Sequence, residues 1–189
     1  MNLKQSYPYL GLKGKLRKLS LILPSSIFFF IILPLITAFL GGKLDEILHL
    51  PVIRLGFIEF LSVFSFFIVG GYYVFESIRI LLIEGGGIPL GDVIPSDQSI
   101  QLVTKGVYRN TRNPMLFGYI LVLCALGILA KSFSFALILP CLYLFLWVFW
   151  LKKREEPSLE IRFGEIYILY KKETPFLIPY QTLFKILLY

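Results

Sequence analysis

Apolar residues in this chain gather into four runs, at about residues 19–40, 55–83, 114–130 and 132–151, separated by polar or glycine-rich stretches. A helix needs about 20 apolar residues to cross the hydrocarbon core of a bilayer. The first two runs meet that length, the second with enough to spare for tilting, and the last two make short spans. Pro24 and Pro34 predict kinks in the first run. The third and fourth meet at Lys131, which predicts a tight helical hairpin. Because a hairpin crosses and returns, the Asn113 end of one arm and the Glu155 end of the other emerge on the same membrane face.

The stretches between the runs differ in kind. Residues 41–54, with Lys43, Asp45, Glu46 and His49, read as a short polar connection. Residues 84–111 hold Gly85, Gly86, Gly87, Pro89, Gly91 and Pro95, a composition that breaks regular helix and predicts a loop. The GGGIPLG run lacks the lysine and the setting of a phosphate-binding loop, so its glycines point to close backbone approach, to a cofactor or to a neighbouring helix. In the tail, 156–172 places Leu159, Phe163, Ile166, Tyr167 and Tyr170 on one helical face, an amphipathic helix that lies on the membrane or caps the site. A break at 174–179 and a short apolar end at 180–189, suited to the membrane interface, close the chain. The expected fold is all-α, integral to the membrane, with about four spans in one domain over residues 1–189.

Composition agrees: 57% of the 189 residues are hydrophobic, far beyond soluble usage. The net charge of +7 would suggest nucleic acid in a soluble protein. Here the bases flank apolar runs, where they act as topology signals and contacts for anionic lipid. Five Lys or Arg precede the first run, three lie in 84–113 and seven follow 151, against three in the two opposite connections. Both termini are therefore expected in the cytoplasm. The first run is too long for a signal-peptide core and is expected to stay in the mature protein. Cys124 and Cys141 fall inside apolar runs and read as packing residues. His49 is the single histidine, so neither the usual zinc ligand sets nor a histidine-based triad is expected.

Two features carry candidate chemistry. Glu76 and Arg79, three apart in the second run, share a helical face and can pair, as a functional group or as interfacial residues; Glu59 lies near the other end. Residues 101–118, QLVTKGVYRNTRNPMLFG, concentrate polar and conformationally special residues in an otherwise oily chain. Asn113 before Pro114 is a strong helix start, with Asn at the N-cap and proline at the first helical position. The first turn of that helix leaves free backbone N–H groups beside Arg109 and Arg112, the outline of an anion site or else a plain cap of a membrane helix whose arginines touch lipid headgroups.

The run LVTKGVYRNTRNPM at 102–115, the paired acids Glu155 and Glu156, then Leu159, Phe163, Gly164, Tyr167 and Tyr170, and the closing Ile178-Pro179 together resemble the isoprenylcysteine carboxyl methyltransferase and phospholipid methyltransferase superfamily of membrane enzymes. Gly85 to Pro89 is similar to the glycine-rich approach of its prokaryotic members. The resemblance covers roughly the C-terminal half. It implies methyl transfer from S-adenosylmethionine to a lipid or lipidated acceptor, an isoprenylcysteine carboxylate or a phospholipid amine. Carried over residue by residue, the cofactor contacts fall on Ile100, Gln101, Leu102, Val103, Tyr108, Asn113, Pro114, Met115, Leu116 and Glu155. Many members have His at the position of Asn113 and Tyr at that of Leu116, and the arginine that eukaryotic members place before the paired acids is Leu151 here.

Candidate catalytic residues are Glu156, the nearest group to take a proton from an amine acceptor, and Arg112, the cation beside the helix start. Methyl transfer by in-line displacement needs alignment and exclusion of water rather than a covalent nucleophile. The expected partners are membrane lipids and a lipid-borne substrate, with no metal and no nucleic acid. Two alternatives compete: a reductase of neighbouring membrane folds that binds a dinucleotide, and a non-catalytic membrane scaffold.

Overall fold

The computed structural model describes residues 12–54, 56–88 and 98–179. The expected features at Lys4, Pro89, Gly91 and Pro95, and the apolar end 180–189, lie outside them. The described chain is all helix and loop. Helix α1 (Leu12–Ile27) runs through a wide turn, Phe28–Ile32, into α2 (Leu33–Leu48). Helix α3 (Phe57–Ile80) ends in a wide turn at Leu81–Gly85, and the short α4 (Val107–Asn110) precedes α5 (Pro114–Leu129). After the hairpin turn, Ser134–Ile138 leads into α6 (Leu139–Trp150), Leu151–Glu155 joins α6 to α7 (Glu156–Phe163), and α8 (Glu165–Glu173) follows. Three continuous helices, Ser20–Leu48, Phe57–Gly85 and Ser134–Phe163, are long and apolar enough to cross a membrane, and α5 is a shorter apolar helix. Large apolar side chains such as Phe39, Phe57, Phe75 and Phe145 project outward from these helices. In a bilayer those faces meet acyl chains.

Three of the wide turns share one cause. Proline has no N–H to donate and its ring crowds the carbonyl four residues back. For Pro34, Pro140 and Pro157 that crowded carbonyl belongs to Phe30, Ala136 and Lys153, each inside a wide turn. The helix relieves the clash by slipping to bonds five residues long: Leu33 N–H to Phe28 O, Leu139 N–H to Ser134 O and Glu156 N–H to Leu151 O. Slippage orphans a carbonyl. Phe29 O, whose donor five residues on would be Pro34, is satisfied instead by the Tyr119 hydroxyl at 2.7 Å, a bond from α5 to the first span.

The helices are drawn together at small residues. A Cβ built on Gly70 of α3 would lie 2.6 Å from Gly118 O, and one on Gly118 would lie 2.5 Å from Gly70 O, so only glycine at both positions allows the α3–α5 crossing. Across the hairpin, Asp45 of α2 takes the Ser132 hydroxyl at 2.6 Å and the Ser134 N–H at 2.8 Å, while Phe135 N–H donates to Ser132 Oγ at 3.1 Å.

That contact corrects the expected polar connection at 41–54. The first helix continues to Leu48 and ends on His49 in the left-handed region (φ 51°). A Cβ on Gly41 would lie 2.8 Å from the Phe135 Cβ, so the helix passes tightly against the hairpin here, and one turn on Lys43 pairs with Glu46 at 2.8 Å. The tail is also corrected. The expected helix 156–172 is two helices, the first continuous with α6, because Gly164 at φ 54° ends one and starts the next. The break resets the phase, leaving Tyr167 2% exposed but Ile166 67% exposed, off the face it was expected to share.

Candidate active site

A cavity of about 270 Å³ lies where the start of α5, the Leu151–Glu155 turn, α7, α8 and the 98–103 loop converge under α1. Leu102, Val103, Tyr108, Arg112, Asn113, Pro114, Met115, Leu116, Glu155 and Glu156 all line it. Ile100 and Gln101 do not. Ile100 is 53% exposed with its N–H bonded to Gly85 O at 2.8 Å, and Gln101 is exposed beside it. The glycine run does make a close approach, but to protein. A Cβ on Gly87 would sit 2.5 Å from Ser99 N, so the run packs against the loop that walls the cavity.

The helix start is built differently from a side-chain cap. Asn113 makes no capping bond; its Nδ2 donates to Phe176 O at 2.8 Å, and Thr111 Oγ1 donates to the same carbonyl at 3.2 Å. Phe117 N–H to Asn113 O at 3.1 Å opens the ladder of α5, so the N–H groups of Met115 and Leu116 precede the first intrahelical bond. These free N–H groups lie where the sequence outlines an anion site.

Behind them lies a row of charges. Arg112 and Glu156 are both about nine-tenths buried in their side chains and pair at 3.1 Å between Nη2 and Oε1. Glu156 Oε2 faces Lys171 Nζ at 3.1 Å, and Lys171 reaches on to Glu160 Oε1 at 2.8 Å. Arg112 Nε and Glu156 Oε1 make no hydrogen bond among the described residues, so the pair is close without being well aligned. The Glu160 bond, helped by Glu156, pushes the Lys171 ammonium pKa up. Burial pushes the phenols of Tyr108, Tyr167 and Tyr170 up, with Tyr170 and Glu155 adding to the effect at Tyr108 and Glu156 adding to it at Tyr167. The Tyr170 hydroxyl donates to Tyr108 O at 2.6 Å and ties α8 to α4. The Tyr170 phenol stays protonated and serves as a donor.

A profile of the phospholipid methyltransferase family matches residues 59–166, more than half of the chain and the part that supplies most of this cavity. The chain belongs to the phospholipid methyltransferase family. No significant match is found among curated proteins, and none among solved structures. Family membership agrees with the superfamily resemblance and makes this an integral membrane protein of a lipid methyltransferase family.

Several wall residues of this family member went unread in the sequence. Trp147 and Trp150, one turn apart on α6, line the cavity, as do Ser25, Ser26 and Phe29 of the first span. Tryptophans at the end of an apolar run read as interfacial anchors, which hides a second use. The signal in the first span is Ser25-Ser26 directly after Pro24, a polar pair in an apolar run. Arg162 of α7 also faces the cavity and donates to Ser99 O, closing the 98–103 loop against α7. Glu76 and Arg79 pair in bidentate fashion at 2.5 and 2.7 Å, but only the α3 residues Val74 and Ile78 beside them reach the cavity. No group of three or more His, Cys, Asp or Glu able to hold a metal occurs among the described residues.

Proposed function

We propose that the protein transfers a methyl group from S-adenosylmethionine to a lipid or lipidated acceptor at the cytoplasmic membrane face, with residues 1–189 acting as one domain. One observation carries the reading: ten of the residues singled out in the sequence, from segments far apart in the chain, line a single cavity, polar at the Arg112–Glu155 end and apolar along Trp147, Trp150, Leu102 and Leu159. That division suits a cofactor with a zwitterionic amino-acid end, a cation in the middle and a flat base. Bound there, the cofactor supplies an activated methyl group on positively charged sulfur.

The chain's part is to hold and to shield. The Met115 and Leu116 N–H groups, at the positive end of α5 and beside Arg112, suit a carboxylate. Glu155, set in the wide turn, suits ribose hydroxyls or a cation, and Leu102, Val103 and Tyr108 suit the base. Glu156 lies between Arg112 and Lys171, an arrangement that favours fixing the guanidinium at the wall over accepting a proton. Trp147, Trp150 and Phe29 exclude water on the side that faces the membrane interior, where a lipid acceptor would approach. The excess of Lys and Arg before the first span and after 151 supports four passes with this face in the cytoplasm.

Calorimetry on the purified protein in detergent tests the reading. S-adenosylmethionine binds, and Glu155→Ala weakens binding more than tenfold, as expected for loss of a charge-assisted hydrogen bond of about 1.5–3 kcal/mol. Binding of NADPH with none of S-adenosylmethionine would give the site to a reductase.

A further inference from the structure

Residues 174–179 lie beyond the family match, yet they hold both halves of the cavity's polar end. Arg112 N–H donates to Pro175 O at 2.9 Å, and Asn113 Nδ2 and Thr111 Oγ1 both donate to Phe176 O. Thr111 is fully buried under this contact, and Thr174 and Pro175 are buried with it. The Phe176 ring then lies between two cations from different elements: the Arg112 guanidinium carbon is 5.5 Å from its centroid and Lys152 Nζ is 5.2 Å. Arg112 directly precedes the Asn113 N-cap of α5, and Lys152 belongs to the wide turn that carries Glu155. A single ring thus spans the gap between the two ends of the hairpin, without itself lining the cavity.

We propose that Phe176 is a positioning residue of this site: the 174–179 strap fixes the start of α5 against the Leu151–Glu155 turn and so sets the spacing between the anion-binding N–H groups and Glu155. The inference rests on the cofactor reading above. Its chemistry is the pull of a cation toward an aromatic face, which a ring supplies and an aliphatic side chain of similar bulk does not. Phe176→Leu therefore keeps the apolar contact and loses the link, whereas Phe176→Trp keeps a face of greater strength.

The test compares Phe176→Leu, Phe176→Trp and Lys152→Met with the native full chain in detergent, by calorimetry with S-adenosylmethionine and by hydrogen exchange at the Arg112 amide. Phe176→Leu weakens cofactor binding about tenfold and speeds exchange at Arg112, while Phe176→Trp stays within about twofold of native on both. Lys152→Met, at an exposed position, weakens binding about threefold and keeps the variant set informative if Phe176→Leu does not fold. Native affinity in folded Phe176→Leu, or in Lys152→Met should the leucine variant not fold, overturns the proposal while leaving the cofactor reading intact. A native chain that binds no cofactor sinks that reading. The exchange arm then decides the strap, and native protection at Arg112 in Phe176→Leu, or in Lys152→Met if that variant does not fold, overturns it.

Discussion

At its turn end the α5–α6 hairpin meets one carboxylate, Asp45, and at its open end it meets another, Glu156. Asp45 reaches from the last turn of α2 to the start of the second hairpin arm, and Glu156 reaches from the first residue of α7 to Arg112, so both cross from one element to another. Asp45 spends its two oxygens on the Ser132 hydroxyl and the Ser134 N–H at 2.6 and 2.8 Å, and what is left unpaired there is the neutral Ser134 hydroxyl. Glu156 faces two cations, and the buried atoms left without a hydrogen bond there belong to charged groups, Arg112 Nε and the Glu156 Oε1 that pairs with Arg112 Nη2. Leaving a charged atom without a hydrogen bond costs more than leaving a hydroxyl. The costlier arrangement lies at the end where the cavity is. The turn end borders a more open hollow whose wall, with Pro34, Leu129, Ala130 and Phe135, carries no charged side chain, and it reads as structure alone.

Removing one carboxylate at a time breaks this comparison most directly. Glu156→Ala leaves Arg112 buried without its partner, and unfolding in a detergent titration should show a loss of about 3–5 kcal/mol, the range for an orphaned buried charge. A loss below about 1 kcal/mol would mean that the pair is solvated in the protein and that the contrast is false. Asp45→Ala should cost less, about 1–3 kcal/mol for the unmade bonds at the turn end, and should leave S-adenosylmethionine affinity within about twofold. Weakened cofactor binding in that variant would couple the two ends and end the distinction between them.

How much of this was readable varies with the kind of signal. The apolar helices, the hairpin and the convergence of Asn113 with Glu155 follow from hydrophobic run length and from the chain's return at Lys131, and the fold keeps them. Where the readings failed, a tertiary contact outweighed a local rule. Asn113 reads as a cap because asparagine so often is one; its side-chain amide instead serves Phe176, sixty-three residues on, which no local pattern encodes. Residues 41–48 read as a loop because they are polar, but Asp45 is polar for the sake of the hairpin turn, 87 residues away from Ser132. Ile166 was placed by a helical period that Gly164 interrupts, and a glycine inside an amphipathic pattern was the available warning. The tryptophans of α6 were visible, but an interfacial tryptophan and a cavity tryptophan look alike in sequence.

The smallest expected effect sharpens the comparison through pH. Lys171 and the phenols of Tyr108, Tyr167 and Tyr170, all at the open end, have pKa values raised in the folded protein. The folded state therefore binds more protons than the unfolded one above pH about 10, where free Tyr and Lys titrate. Their contribution is fully present below the unfolded values and is lost as pH rises through the folded ones. Stability should be nearly flat with respect to these groups from about pH 6 to 9 and decline above about 10, with hydrogen exchange rising first in α8. Loss of protection at the Ser132–Ser134 turn ahead of α8 would contradict the assignment.

The wide turn at Leu151–Glu155 has one further consequence, for the gene rather than the fold. It holds one residue more than an α-helix uses over the same rise, so it behaves as an absorbed insertion beside Pro157. Replacing that proline so that the helix returns to regular α geometry with all its residues kept would swing everything after it by about 100°. Glu156, Leu159 and Arg162 would leave the cavity together, although the membrane span would lose almost none of its apolar length. At this point the extra residue and Pro157 are matched, and variants that lose one without the other should lose the α7 wall of the cavity, whereas those that lose both together should keep it.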